Sequence, residues 1–288
     1  MTLHFFNKTD GILLRDFLRC CQVSASLAAA VKRGGGFFAD GVPIHTNQRL
    51  AAGQQVSFAL PPEPATDVRP QDLPLEIRYE DEHIMLINKP AGITVHPTRG
   101  YADGTLANAF MGLMARRGSD AVFRPVNRLD RETSGLVLCA MNAWAAPILA
   151  QTARKEYLAL AAGPMKEEAG AFCWPIGLEE GSLIRRACRP DGQPSRTEYR
   201  VVRTCEQASL ARCITVTGRT HQIRVHFAQA GHPLLGDDLY GGSRELIGRT
   251  ALHCGWIRVE MPQWNAARTF ACPLPSDMEA LIFHIFHV

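Results

Sequence analysis

The chain has 288 residues, of which 46% are hydrophobic and 20% charged, enough for one large or two modest domains with a substantial core. Lys and Arg total 31 against 28 Asp and Glu, a formal net charge of +3, so a polybasic tail, an acidic solvating tail and bulk disorder are not expected. Any nucleic-acid site has to come from local charge. Met1 to Asp10 lacks a basic segment leading into an apolar run, and no apolar run approaches the ~18 residues of a membrane span, so neither a secretory signal nor a span is expected. The 9 cysteines are scattered, with Cys20 and Cys21 adjacent. They fit neither a disulfide framework nor CxxC knuckles and read as free thiols of a reducing cytosol.

Residues 1–60 read as a small, mildly basic α+β unit. Leu13, Leu14, Phe17 and Leu18 have helical spacing within 12–18. A second helix is predicted from Ser24 or Ser26, as N-cap, to Lys32, stopped by Gly34-Gly35-Gly36. A hairpin follows, 36–39 and 42–45 about an Asp40-Gly41 turn, and a last short strand at 56–60. Residues 61–74, PPEPATDVRPQDLP, should form an extended linker, because proline fixes φ and removes backbone donors. Residues 75–288 form the larger unit. Strands are expected at 84–88, 135–140, 157–161, 197–202, 209–216 and 252–259. Helices are expected at 106–114, 143–151, 222–231 and 276–286. Strands and helices do not alternate as regular βαβ units, so a mixed sheet is expected rather than a doubly wound parallel one.

Four stretches could carry chemistry. In RPVNRLDRETSGLVLCA (124–140), a polar cluster runs into an apolar strand, and Asp130 sits between Arg128 and Arg131. Flanking cations favour its ionised form, and an ionised carboxylate beside a core strand can act as nucleophile or base. The same pattern also suits a surface turn with exposed ion pairs. In TGRTHQIRVHFAQAGHPLLGDDLY (217–240), a helix starting near Thr220 places His221, Arg224 and Ala228 on one face and Ile223 and Phe227 toward the core. Its N-terminus, with Arg and His, suits an anion. His221 and His226 stand at i, i+5 on different faces, which favours hydrogen bonding over a metal site. Lys155-Glu156-Tyr157 opens a strand in polar surroundings. Between 184 and 224, Arg185, Arg186, Arg189, Arg196, Arg200, Arg203, Arg212, Arg219 and Arg224 face only Asp191, Glu198 and Glu206, which resembles a phosphate-tracking surface. P-loop, GxSxG, SxxK and GxGxxG signatures are missing.

Taken in order, INKPAGITVHP (87–97), RPVNRLDRETSGLVL, ARKEYLAL (153–160), SRTEYRVV (195–202), TGRTHQIRVHFAQAGHPLLGDDLYGG and ALHCGWIRVEMP with FACPLPSDMEALI resemble the RluA-type pseudouridine synthases over about residues 72–286. Residues 10–60 look like a degenerate form of the S4-like RNA-binding domain often found ahead of that catalytic domain. The family's loop usually reads His-Arg-Leu-Asp. Here Asn127 replaces the His, which bears on loop geometry or substrate preference rather than on the carboxylate.

The resemblance implies an α+β fold, with a large mixed, mostly antiparallel sheet crossed by a central cleft, and an isomerase that turns uridine in RNA into pseudouridine. The N1–C1′ bond breaks, the base rotates and C5 rejoins, with no atom gained or lost, so no cofactor or metal is implied. Asp130 would be the catalytic carboxylate, by attack at C1′ or by removal of the 2′ proton. Arg224 would pair with it. Tyr157 would pack on the base and help remove the C5 proton, and Arg128 would enter the RNA stack. Arg219, His221, Gln222, Arg185, Arg186 and Arg189 would complete the RNA contacts. The implied partner is ribosomal or transfer RNA, with no membrane and no obligatory protein partner, for a cytoplasmic monomer. A non-catalytic RNA-binding protein would not need Asp130, Tyr157 and Arg224 together. A hydrolase using Asp130 lacks a recognisable second carboxylate.

Overall fold

The computed structural model describes residues 1–287. The N-terminal part comprises β1 (Thr2–Phe6), β2 (Ile12–Leu13), α1 (Leu14–Cys20), α2 (Ala25–Arg33), β3 (Phe37–Ala39), β4 (Val42–Ile44), β5 (Arg49–Leu50) and β6 (Gln55–Ala59). Strands β1, β6, β3 and β4 form a sheet in that order, and β2 pairs with β5. The Ser24 hydroxyl caps α2 by accepting from the Leu27 N–H at 3.2 Å. Asp40 and Gly41 both have positive φ, the primed turn that suits the twist of a two-residue hairpin.

No helix or strand lies between Ala59 and Glu76. That stretch nonetheless follows the surface of the larger unit. The Asn108 side-chain amide donates to the Arg69 carbonyl at 2.8 Å, and the Gln71 N–H donates to the Asn108 carbonyl at 3.0 Å. Arg116 pairs with Asp72 and Arg124 with Glu63.

The larger part runs through β7 (Glu76–Glu80), β8 (Ile84–Lys89), α3 (Leu106–Arg117), β9 (Ser134–Ala140), α4 (Ala145–Thr152), β10 (Arg154–Ala162), β11 (Ala169–Phe172), β12 (Ile176–Leu178), β13 (Arg186–Cys188), β14 (Thr197–Thr204), β15 (Ala208–Thr215), α5 (Gln222–Gln229), β16 (Leu252–Val259), β17 (Arg268–Ala271) and α6 (Ser276–Phe286). Its nine-stranded sheet has the order β11-β14-β15-β10-β16-β9-β8-β7, with β17 also on β16. This is the expected α+β architecture: every ladder is antiparallel except β9–β16. That parallel pair is short, His253 with Ser134 and Cys254 with Gly135. Gly135 has φ 111°, and a Cβ there would meet the Cys254 carbonyl oxygen at 2.3 Å. Only glycine lets the two backbones approach so closely. This contact fixes the start of β9, just behind Asp130.

Some boundaries differ from the sequence reading. Residues 12–13 pair as β2, so the first helix begins at Leu14. The helix expected from Thr220 begins at Gln222, because His221 takes a left-handed backbone with φ 57°. Several strands went unpredicted. The segment of β11 is AGAF, with too few side chains to show a period. Strands β12 and β13 have three residues each, below the length at which alternation can be read.

One continuous apolar core joins the two parts, with Leu3, Phe17 and Phe58 in the same cluster as Ile84, Leu138 and Trp144. Trp144 is the hinge of that contact. Its ring meets Phe5 edge-on at 5.5 Å, and its Nε1 donates to the Cys21 carbonyl at 3.0 Å.

Candidate active site

The Asp130 loop is tied down from behind. The Asn127 amide nitrogen donates to the Leu136 carbonyl at 3.0 Å and its oxygen accepts from the Leu138 N–H at 2.8 Å. Asn127 therefore staples the loop to β9, a task its amide performs without titrating. Lys89, fully buried at the end of β8, donates to the carbonyls of Pro90, Ile93 and Arg131 at 2.8, 2.9 and 3.2 Å. Burial lowers its pKa to about 7, against the pull of Asp130. Farther along the loop, Glu132 accepts from Arg244 at 2.9 Å, and Arg249 donates to the Glu132 carbonyl at 3.1 Å.

The cation on Asp130 comes from elsewhere in the chain. Arg224 Nη1 donates to Asp130 Oδ2 at 3.2 Å, while among the described residues neither Arg128 nor Arg131 bonds to that carboxylate. Arg131 instead reaches the Tyr101 hydroxyl. The other edge of Arg224 is held by Asp237, with Nε to Oδ2 and Nη2 to Oδ1 both at 2.7 Å. Arg224 is buried and Asp237 entirely so. Burial would lower the Arg224 pKa, but the Asp237 bonds and the two carboxylate charges outweigh it and hold the guanidinium charged. Arg224 points inward, because α5 presents it between two carboxylates rather than to solvent.

Above this pair, Tyr240 Oη accepts from the Arg186 N–H at 2.9 Å and lies 2.8 Å from His221 Nδ1. Burial raises the Tyr240 pKa to about 12 and lowers that of His221. A protonated phenol beside a neutral imidazole assigns Nδ1 as the acceptor, which leaves the ring proton on Nε2. That nitrogen is 3.9 Å from Asp130 Oδ1, too far for a direct bond. The left-handed backbone at His221 is unfavourable for a residue with a Cβ, a local strain of about 1 kcal/mol.

Asp130, Arg224, His221 and Tyr157 line one cleft with Lys155, Arg128 and Thr94, of about 500 Å³. Tyr157, near the start of β10 and facing β15 and β16, is buried. Burial, with Cys254 and Asp130 nearby, holds its phenol pKa well above the usual value. A polar wall, one carboxylate with a free oxygen and an aromatic floor suit a nucleoside-sized group better than an apolar ligand.

A model of the family described as RNA pseudouridylate synthase matches residues 83–229, a span that includes Asp130, Tyr157 and Arg224. YjbO of Bacillus subtilis, described as an uncharacterised RNA pseudouridine synthase, is 36% identical over 267 residues, covering 90% of this chain and 94% of its own. The chain belongs to the RNA pseudouridylate synthase family. Such enzymes are isomerases that convert uridine in RNA to pseudouridine. The ribosomal large subunit pseudouridine synthase D of Escherichia coli is 35% identical, over 82% of this chain and 78% of its own. Among solved structures, human RNA pseudouridylate synthase domain containing 1 superposes with a TM-score of 0.59 at 25% identity, covering 76% of this chain and 90% of that one.

Around the synthase cleft, the other arginines divide by what they touch. Arg128 and Arg219 are exposed on its rim. Arg186 lines a neighbouring depression, also bordered by Arg128 and Arg219. Arg185 pairs with Glu179 at 3.2 Å, and Arg189 grips Asp191 through two bonds at 2.9 and 3.0 Å. Gln222 spends its side chain on the protein. Its oxygen accepts from Thr217 Oγ1 and the Arg219 N–H, and its nitrogen donates to the Arg196 carbonyl and Thr197 Oγ1. His226 is likewise enclosed, within 3.0 Å of Thr197, Ser195 and the Trp174 carbonyl. Sequence reasoning passed over Asp237, Tyr240 and Lys89. The first two lie in the quoted GDDLYG stretch, but nothing local shows that one of two adjacent aspartates turns inward.

Proposed function

We propose that this synthase isomerises a uridine within structured ribosomal or transfer RNA, with Asp130 as the catalytic carboxylate. The observation that carries the reading is the chain from buried Asp237 through buried Arg224 to Asp130, which opens on the cleft. Arg224 engages one Asp130 oxygen, leaving the other to meet the ribose. The free oxygen either attacks C1′ or takes the 2′ proton, and both routes require the ionised carboxylate. The N1–C1′ bond breaks and the base turns against Tyr157; C5 then bonds to C1′ as the Asp130–C1′ bond breaks, or as the carboxyl returns the 2′ proton, and the C5 proton is lost as N1 gains one. Because the Tyr157 phenol holds its proton firmly, its contribution is to pack against the turning base.

A uridine in a stem reaches a recessed carboxylate only after extrusion, at a cost of about a few kcal/mol. Arg128 supports the flipped nucleotide by entering the RNA stack, and Arg186 and Arg219 are placed to offset the cost through phosphate contacts. The large-subunit designation of the Escherichia coli relative favours ribosomal RNA. Residues 1–60, with Lys8, Arg15, Arg19, Lys32, Arg33 and Arg49, are assigned as an S4-like RNA-binding domain, 61–74 as the linker and 75–288 as the catalytic domain. RNA is the one partner this reaction needs, and a cytoplasmic monomer satisfies it. Mapping pseudouridines in total RNA from cells with and without the gene tests the reading. The expected result is one or a few positions lost on deletion and restored by the wild-type gene but not by Asp130→Asn. An unchanged map would overturn it.

A further inference from the structure

His221 and Asp130 face each other across the cleft without touching. His221 Nε2 stands 3.9 Å from Asp130 Oδ1, and both side chains keep some exposure, 16% and 25%. Both line the cleft. Oδ1 is the oxygen that Arg224 leaves free, because the guanidinium bonds to Oδ2.

The imidazole is held from behind, so the fold sets this separation. The Tyr240 hydroxyl lies 2.8 Å from Nδ1, and Tyr240 is fixed in turn. Ile176 and Val225 pack with its ring, and Arg224 Cζ lies 5.1 Å from the ring centre. Its oxygen accepts from the N–H of Arg186, at the head of β13 in the β12–β13 hairpin. With the hydroxyl proton directed at Nδ1, the neutral ring carries its own proton on Nε2. The cleft side of His221 is therefore a donor, and the cleft side of Asp130 an acceptor.

An oxygen about 2.9 Å from each atom would bridge that gap. It has to accept from the Nε2–H and donate to the carboxylate. A uridine within an RNA chain offers one such group. O2 and O4 of the base only accept, N3–H only donates, and the 3′ and 5′ oxygens are esterified. The 2′-hydroxyl alone is both donor and acceptor. It is borne by C2′, next to C1′, so the same contact brings both centres that the carboxylate can address up to Oδ1.

We propose that His221 and Asp130 clasp the 2′-hydroxyl of the target uridine between Nε2–H and Oδ1, with Tyr240 as the positioning residue that fixes the imidazole. The pair thereby selects ribose over deoxyribose and sets the sugar against the carboxylate. The proposal rests on the reading of the Asp130 cleft as the uridine site.

The test uses the full-length protein and an RNA stem-loop of about 30 nucleotides, cut around the uridine that loses its modification on gene deletion. A second RNA carries 2′-deoxyuridine at that one position. Single-turnover kinetics give the half-saturating concentration of the first RNA, and competition gives the inhibition constant of the second. If wild-type protein leaves the first RNA unmodified, the uridine-site reading fails and the proposal with it. Given turnover, wild-type protein should hold the deoxy RNA about tenfold more weakly than the uridine RNA. His221→Asn suits the left-handed backbone but places nothing at Nε2. It should bring that ratio below about twofold and slow turnover at saturating RNA about tenfold. Tyr240→Phe, which frees the imidazole, should lower the ratio to about threefold. A general weakening of the fold would shift both RNAs together and leave the ratio alone. Equal binding of the two RNAs by wild-type protein, or an undiminished ratio in His221→Asn, would overturn the clasp. An undiminished ratio in Tyr240→Phe would overturn the positioning role.

Discussion

Arg224 reaches Asp130 with Nη1 at 3.2 Å while Asp237 holds its Nε and Nη2, each at 2.7 Å. The shorter, bidentate contact belongs to the carboxylate with no exposure, and the longer, single contact to the one that opens on the cleft. Asp237 therefore fixes the guanidinium, and the guanidinium in turn fixes one oxygen of Asp130. The remaining oxygen is left for chemistry. Pre-organisation of this kind places the reacting group without reorganisation during the reaction.

Asp237→Asn should expose that dependence. It keeps the shape but leaves Arg224 buried against a neutral amide, and removal of one partner from a buried ion pair costs about 3–5 kcal/mol. Urea unfolding should show the loss, and turnover by the folded fraction should fall as Arg224 shifts. Stability and rate both near wild type would mean that Arg224 is positioned by other contacts.

Asp130→Asn tests the chemistry itself. Asp130 is partly exposed, and among the described residues its carboxylate hydrogen-bonds only to Arg224, so the variant should fold with a thermal midpoint close to wild type. Single-turnover conversion of uridine should drop by at least about 10²–10⁴-fold, the range typical of removing an acid, base or nucleophile. Conversion within a few-fold of wild type would remove Asp130 from the catalytic role.

The sequence made the sheet class, most central strands and the Asp130 loop readable, because β9 is a continuous apolar run and the motif residues cluster next to it. The partner of Asp130 was not readable from its neighbours. Arg128 and Arg131 flank it in the chain but, among the described residues, do not bond to it, whereas Arg224, 94 residues on, supplies the charge through the fold. Only the resemblance to a known family pointed to Arg224. Nothing pointed to Asp237 or Tyr240, whose roles arise from the way α5 and the following turn pack against each other. The docking of Trp144 on Phe5 and Cys21 was equally hidden, since a tryptophan within an apolar helical stretch does not announce which neighbour will cover it.

Salt dependence should separate the arginines. Each phosphate contact removed lowers the slope of log affinity against log salt by about 1. Arg186→Gln and Arg219→Gln should each reduce the slope by about that amount in filter-binding titrations. Arg189→Gln should change it little, because Asp191 already engages that guanidinium through two bonds. A larger effect from Arg189 than from Arg186 would move the RNA path to the other side of the hairpin.

Acid stability should report on His253. It lies at the parallel β9–β16 junction, with Nδ1 3.0 Å from the Ser134 hydroxyl, and burial lowers its pKa from 6.5 to about 4. The folded state thus disfavours the protonated ring. This stabilisation is complete above pH 6.5 and is lost as pH falls toward 4. By pH 4.5 the loss should reach about 2–3 kcal/mol. His253→Gln should be less stable at pH 7 and should lose correspondingly less between pH 7 and 4.5 in urea titrations. Equal losses in both proteins would show that other groups govern acid unfolding.

Removal of residues 1–60 tests how the N-terminal part contributes. Every residue lining the Asp130 cleft is Thr94 or later, so the rate at saturating RNA should stay within about twofold, while the half-saturating RNA concentration rises as the tethered basic surface is lost. Folding should suffer more than chemistry. Trp144 is 2% exposed, and the truncation strips Phe5 and the Cys21 carbonyl from it, leaving a large aromatic bare. Exposure of one such side chain costs about 2–3 kcal/mol, and Trp144 emission should shift to the red. The choice of cut matters. A chain beginning at Pro61 keeps the Arg69 and Gln71 backbone groups that bond Asn108, whereas one beginning at Leu73 leaves the Asn108 amide without its Arg69 acceptor and should be weaker still. Single-turnover kinetics and urea unfolding on both truncations decide the matter. A large fall in rate at saturating RNA, in a chain that still unfolds cooperatively, would mean that residues 1–60 help to build the active site.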